Sequence, residues 1–250
     1  MAVTTQGADL ARWARLAMPA TGVVGTGVFF LVVFSPNLPM YGDSLSDWGR
    51  WASTHQPAAR GAVTILLLAY LLYMVFGVYV ATLVRRSDPT TAALAQVAMV
   101  AIAVKFAIET MQIAVLSVPA TGGSKDFGGS MAQLGSVLSG VSLVPFAVFL
   151  VAVGVAALIT RAVPVWLAWF TLVVAGIHVL ATVLGLSGVS AGPMLVAFGY
   201  VWFASIPAWP LVTGAALSVA AIRGITLASR PVAEESSSQQ ALSTSSSQPA

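Results

Sequence analysis

The chain contains no cysteine, which excludes disulfides, thiolate metal sites and cysteine nucleophiles. It is also poor in charge. Asp, Glu, Lys and Arg make up 8% of its 250 residues, against roughly 25% in an ordinary soluble domain. The two histidines, His55 and His178, belong to no His-x-x-x-His or Glu-x-x-His pattern, so neither a metal nor any other cofactor is expected. No DDxxD-like acidic cluster appears, which argues against Mg-diphosphate chemistry of the membrane prenyltransferase kind. Nucleophile motifs are missing too: Gly135-Ser136 and Ser139-Gly140 stand outside any G-x-S-x-G context. The glycines of TGGSKDFGGS do not lead into Gly-Lys-Ser/Thr, so they build no phosphate loop. There is no internal repeat of the kind that marks inverted-repeat transporters.

What the chain has instead is apolar residues, 58% of the total, with a mean hydropathy of +0.91. They fall into six blocks, at about 16–34, 61–84, 92–118, 132–159, 164–186 and 193–222. Each block is long enough for a hydrocarbon core of ~30 Å at ~1.5 Å per helical residue. Helices satisfy their own backbone in lipid, and the alternating pattern of membrane barrels is absent. The expected fold is an all-α integral membrane protein, a six-helix transmembrane bundle over 16–224. A cytoplasmic segment (1–15) precedes it, and a polar, low-complexity, disordered tail (225–250) follows. Arg12 and Arg15 followed by an apolar run imitate a signal peptide, but the run is long and ends in Ser35-Pro36-Asn37 without a cleavage pattern. It reads as an uncleaved first span.

The formal charge of +3 is therefore no argument for a nucleic-acid partner; the basic residues set orientation. With the N-terminus in the cytoplasm, Arg12, Arg15, Arg85, Arg86, Arg161, Arg223 and Arg230 lie inside, and only Arg50, Arg60 and Lys125 lie outside. Both termini are then cytoplasmic. Nine arginines to two lysines, and spans rich in Ala, Val and Gly, suggest a bacterial plasma membrane. Residues 35–60 form the longest outer loop. In it Ser44 and Asp47 fit a capping box, and Leu45, Trp48 and Trp51 share one face of a short surface helix, a lid or an interfacial anchor. The second outer loop, TGGSKDFGGS, reads as mobile.

One span carries charge. Lys105, Glu109 and Gln112, in VAMVAIAVKFAIETMQIAVLSV, fall within about 60° of one helical face. A lone charge at membrane depth costs at least ~2.5–3.5 kcal/mol, so such residues face a bundle interior and take a partner. Lys105 and Glu109 either lock the bundle as an ion pair, with Gln112 bonding between helices, or mark a functional cavity. His178 in the fifth span and Tyr70 and Tyr73 in the second reach a similar depth, which places them in one candidate cluster. Gly22, Gly25 and Gly27 read as sites of close helix approach, and Pro145, Pro207 and Pro210 as kinks.

Three stretches carry a resemblance: WGRWASTHQPAARG, LLLAYLLYMVFGVYVATLVRRSD, and VPFAVFLVAVGVAALITRAVPVWLAWFTLVVAGIHVLATVLG with its Arg161, Pro164, Trp166 turn. From the second span onward the chain resembles a family of six-span bacterial membrane proteins defined as a domain of unknown function. The resemblance implies the fold and topology and assigns no site residue.

The leading functional expectation is an intramembrane pocket that handles a hydrophobic or lipid-like small molecule. Its sharper form is an isoprenoid (terpene) cyclase in which Glu109 is the acid, with Lys105 and His178 beside it. Gln112, Tyr70, Tyr73 and Trp202 would then contact substrate, and the rings would stabilise passing positive charge. The competing classes are a small permease relaying protons through Glu109 and His178, and a non-catalytic accessory subunit. The expected partners are the lipid bilayer and such a small molecule; no signal sets an oligomeric state.

Because the chain lacks cysteine, single substitutions report topology without background. In intact cells a membrane-impermeant maleimide is expected to label Ser53→Cys, and to reach Ser87→Cys only after permeabilisation. The reverse pattern would overturn the orientation.

Overall fold

A computed structural model describes residues 5–33, 45–85, 89–121, 125–186 and 193–223. The described residues form seven α-helices and no strand: α1 (Thr5–Val33), α2 (Leu45–Thr54), α3 (Gln56–Val84), α4 (Pro89–Ser117), α5 (Lys125–Thr160), α6 (Val165–Leu186) and α7 (Pro193–Ile222). A 3-10 turn, Val118–Thr121, extends α4. All but α2 are long and apolar enough to cross a membrane. Prolines open three of them: Pro57 in the first turn of α3, Pro89 heading α4 and Pro193 heading α7. At those positions the missing N–H belongs to the orphan donors of the helix end.

The spans pack as a closed ring, α1 on α3, α3 on α4, α4 on α5, α5 on α6, α6 on α7 and α7 back on α1. Large apolar residues stay exposed along the outer faces, for example Val97, Val100, Val104 and Met111 on α4, while Glu109 on the same helix is buried. That inversion is what a lipid solvent favours. Toward the Arg161 turn the ring interior is filled by one cluster containing Phe76, Phe149, Leu150, Leu167, Trp209 and Leu217. Toward α2 a second cluster joins Phe29, Trp48, Leu66 and Ile113.

The short helix expected in the 35–60 segment is present as α2 and packs on the bundle. Trp48 is only 3% exposed, and its indole N–H donates to the Leu116 carbonyl at 3.2 Å. One turn further, the Arg60 guanidinium donates to the Ala120 carbonyl at 3.2–3.3 Å. The two side chains thus serve carbonyls left over where α4 ends, and α2 is packed onto the bundle through α5, α3 and the 3-10 turn. Trp51 is half-buried and stacks on His55 at 5.3 Å. The Ser44 cap lies outside the described residues, as does the tail. Three boundaries also move: α1 starts at Thr5, α3 at Gln56, and α5 takes in Lys125–Ser130 of the segment read as a loop.

Close approach is real at two of the three glycines in α1. A Cβ on Gly22 would meet the Pro210 carbonyl at 2.8 Å, and one on Gly25 the Tyr73 ring at 3.1 Å, whereas Gly27 has nothing within 4 Å. Gly214 on α7 returns the contact, 2.8 Å from the Pro19 carbonyl. The α1–α7 seam that closes the ring therefore rests on a reciprocal glycine–proline contact. α5 ends with Arg161 at φ 49°, its N–H bonding back to the Ala157 carbonyl, a cap geometry that glycine usually fills.

Gly22→Ala and Gly214→Ala are each expected to destabilise the purified protein by about 1–3 kcal/mol, since a backbone carbonyl cannot give way. Gly27→Ala should melt at least as high as wild type. Thermal unfolding in detergent reads the difference, and equal melting of all three would mean the seam is loose.

Candidate functional site

Between the filled core and α2 the ring encloses a cavity of about 240 Å³, to which all six spanning helices contribute. It is small but within reach of a compact ligand. The wall is mostly apolar, from residues such as Phe29, Leu66, Ile102, Leu143 and Ile206. The polar residues singled out in the sequence all line it: Lys105, Glu109 and Gln112 from α4, Tyr70 and Tyr73 from α3, His178 from α6 and Trp202 from α7. Equal depth in the sequence therefore corresponds to a shared direction in space.

The centre of the cavity is ionic. Lys105 Nζ lies 2.5 Å from Glu109 Oε1, with side chains only 12% and 6% exposed. Ser142 Oγ, on α5, is 2.6 Å from the same oxygen and 2.8 Å from the Ser139 carbonyl, so its single proton serves one of the two. Tyr70 lines the same cavity from α3. Glu109 is thereby presented as an acceptor for donors from its own helix and α5. Such a buried pair is held together by geometry and by its extra hydrogen bonds, which offset the cost of removing both charges from water.

Beneath the pair lies an aromatic floor. Lys105 Nζ sits 4.9 Å from the centroid of Phe146, over its face, a cation–π contact. The imidazole of His178 meets the same ring in a T-shaped arrangement at 4.8 Å. Trp209 packs against Phe146, Phe149 and Phe76 at 5.4–6.2 Å and anchors its N–H on Thr171 Oγ1 at 3.0 Å. Tyr73 reaches Thr26 on α1 only through a long 3.4 Å contact. α7 runs unbroken through Pro207 and Pro210, and Pro210 belongs to the cavity wall.

Not every polar atom here is satisfied. Gln112 Oε1, His178 Nδ1 and Trp202 Nε1 are buried and have no hydrogen-bond partner. Unpaired polar atoms in a dry interior cost about 1–3 kcal/mol each, and three of them border one cavity.

Several site residues escaped the sequence reading. Gly135, Ser139, Ser142 and Phe146 recur at helical spacing on α5, and the last three line the cavity while Gly135 adjoins Gln112 and Leu116. The i, i+4, i+7 pattern of small and polar residues at 135, 139 and 142 inside an apolar span was the signal. Trp209 and Ser205 carried no comparable signal, since their roles depend on which helices become neighbours.

Removing one partner of the pair should be worse than removing both. Lys105→Met or Glu109→Gln alone is expected to destabilise by about 3–5 kcal/mol, and the double variant by much less. A double-mutant cycle on thermal unfolding in detergent measures this; additive losses would show the pair to be uncoupled.

The chain matches no family model, no curated protein and no solved structure, so the roles of these residues rest on the geometry of the cavity.

Proposed function

We propose that the protein is a multi-pass membrane protein whose interior cavity takes up a small, largely apolar molecule and acts on it, with the Lys105–Glu109 pair as the reactive polar centre. The observation that carries the reading is the convergence of that pair, His178, Gln112 and both tyrosines on a single, mostly apolar cavity. Six helices long and apolar enough to span a membrane support the setting. The filled ring interior toward the Arg161 turn weighs against a through-passage, and so favours an enzyme or binding protein over a permease.

The chemistry that suits such a site best is isoprenoid cyclisation. A water-poor cavity protects a carbocation from capture, and the faces of Phe146, Trp209 and the two tyrosines offer it negative charge density. Glu109 is the acid in this reading. The proton comes from the hydrogen bond between Lys105 Nζ and Glu109 Oε1, 2.5 Å apart, and Glu109 delivers it. That proton adds to a terminal olefin or an epoxide oxygen, and the carbon bearing the new positive charge is attacked by an internal double bond. Loss of a proton to the Glu109 carboxylate ends the reaction. The product is an isomer of the substrate.

The test is a mass-spectrometric profile of lipid and isoprenoid extracts from cells making wild type or Glu109→Gln at matched membrane levels. The double variant Lys105→Met/Glu109→Gln serves as a second, folding-competent comparison. A compound lost in both variants, and isomeric with a precursor that accumulates, is the expected outcome. Identical profiles from correctly inserted proteins would remove Glu109 as an acid and the cyclase with it.

A further inference from the structure

The reading of the cavity as a small-molecule site can be taken one step further, to the charge and functional group of what enters it. The first constraint is charge. Lys105 and Glu109 are the charged residues of the cavity wall, and they neutralise each other at 2.5 Å. No cation is left over to meet a phosphate or carboxylate, which would otherwise bring an unpaired charge into a dry site. Among the described residues no group of three His, Asp or Glu side chains could hold the metal ion a diphosphate usually brings.

The second constraint is the tautomer of His178. Ser205 Oγ lies 2.6 Å from the Trp202 carbonyl and 3.3 Å from His178 Nε2. A hydroxyl has one proton, and the shorter bond takes it. Toward His178 the serine oxygen is therefore an acceptor, so Nε2 carries the imidazole proton and Nδ1 presents a lone pair. A second proton on the ring would set two cations, His178 and Lys105, against the same Phe146 ring. His178 is 0% exposed, and Nδ1 has no partner. Trp202, tied to His178 through Ser205, offers the opposite: its Nε1 is a pure donor, also buried and unpaired. The cavity wall thus carries an unmet acceptor on α6 and an unmet donor on α7. At the other end, about 10 Å from Lys105 along α4, is the unpaired Gln112 Oε1.

We infer that the ligand is a neutral molecule with an apolar body and a hydroxyl group that donates its proton to His178 Nδ1. A hydroxyl supplies that proton without bringing charge. A phosphorylated ester carries charge the wall cannot match, and a plain hydrocarbon or ether leaves the His178 lone pair buried and unmet. Ser205 is a positioning residue: it touches no ligand and fixes which ring nitrogen is free.

The test compares three tritiated probes of one skeleton, geraniol, geranyl methyl ether and geranyl diphosphate, in scintillation-proximity binding to the full-length protein in detergent. Geraniol is expected to bind saturably, the ether at least about tenfold more weakly because Nδ1 stays unpaired, and the diphosphate without saturation. His178→Phe, which keeps an aromatic ring and loses the Nδ1 acceptor, should close the gap between alcohol and ether. If it fails to fold, the wild-type comparison decides alone. Equal binding of alcohol and ether, or tighter binding of the diphosphate, would overturn the hydroxyl assignment and leave the cavity reading standing. Absence of saturable binding by all three probes would overturn both.

Discussion

A hydrocarbon interior offers no water to a polar group, and the burial of Lys105 and Glu109 is the severest case of that constraint in this protein. Much of the surrounding structure answers it. Ser142 brings a donor to Glu109 from α5, and Phe146 offers its face to Lys105. The charged face of α4 points inward, so the apolar stripe of Val97, Val100 and Val104 is left for lipid. A ring of helices rather than a solid bundle is one way to give such a pair a shared interior.

Closure of the ring depends on small residues. Gly22 and Gly214 allow α1 and α7 to meet backbone to backbone, and dispersion and packing, not hydrophobic exclusion, hold helices together in lipid. At one end the interior is filled by large aromatic and aliphatic side chains; at the other it leaves the cavity, and Trp48 and Arg60 tie down the end of α4. The cavity thus has a packed floor and a helical wall, each built from a different class of interaction.

Much of this was legible in the sequence. Six apolar blocks set the spans because length and hydropathy are properties of each segment alone. The 105, 109 and 112 spacing marked the face of α4 that lines the cavity for the same reason. What depends on tertiary neighbours was not legible. That Trp48 is buried is not evident until α2 is seen against α5. Gly27 looks like Gly22, yet only one of them faces another helix. Ser142 is an unremarkable serine in an apolar span until Glu109 is opposite it, and Ser205 acquires meaning only through His178.

The spacing of the ion pair also bears on how the protein is made. Lys105 and Glu109 are one helical turn apart on the same helix, so the pair forms as soon as α4 is helical, without waiting for α5 or α6. A span with two separate charges would meet the insertion machinery as a doubly unfavourable segment. Here the counter-charge travels with the charge, and α4 enters the bilayer as an electrically neutral unit. Assembly of the ring around it then completes the solvation of a pair that was already in place.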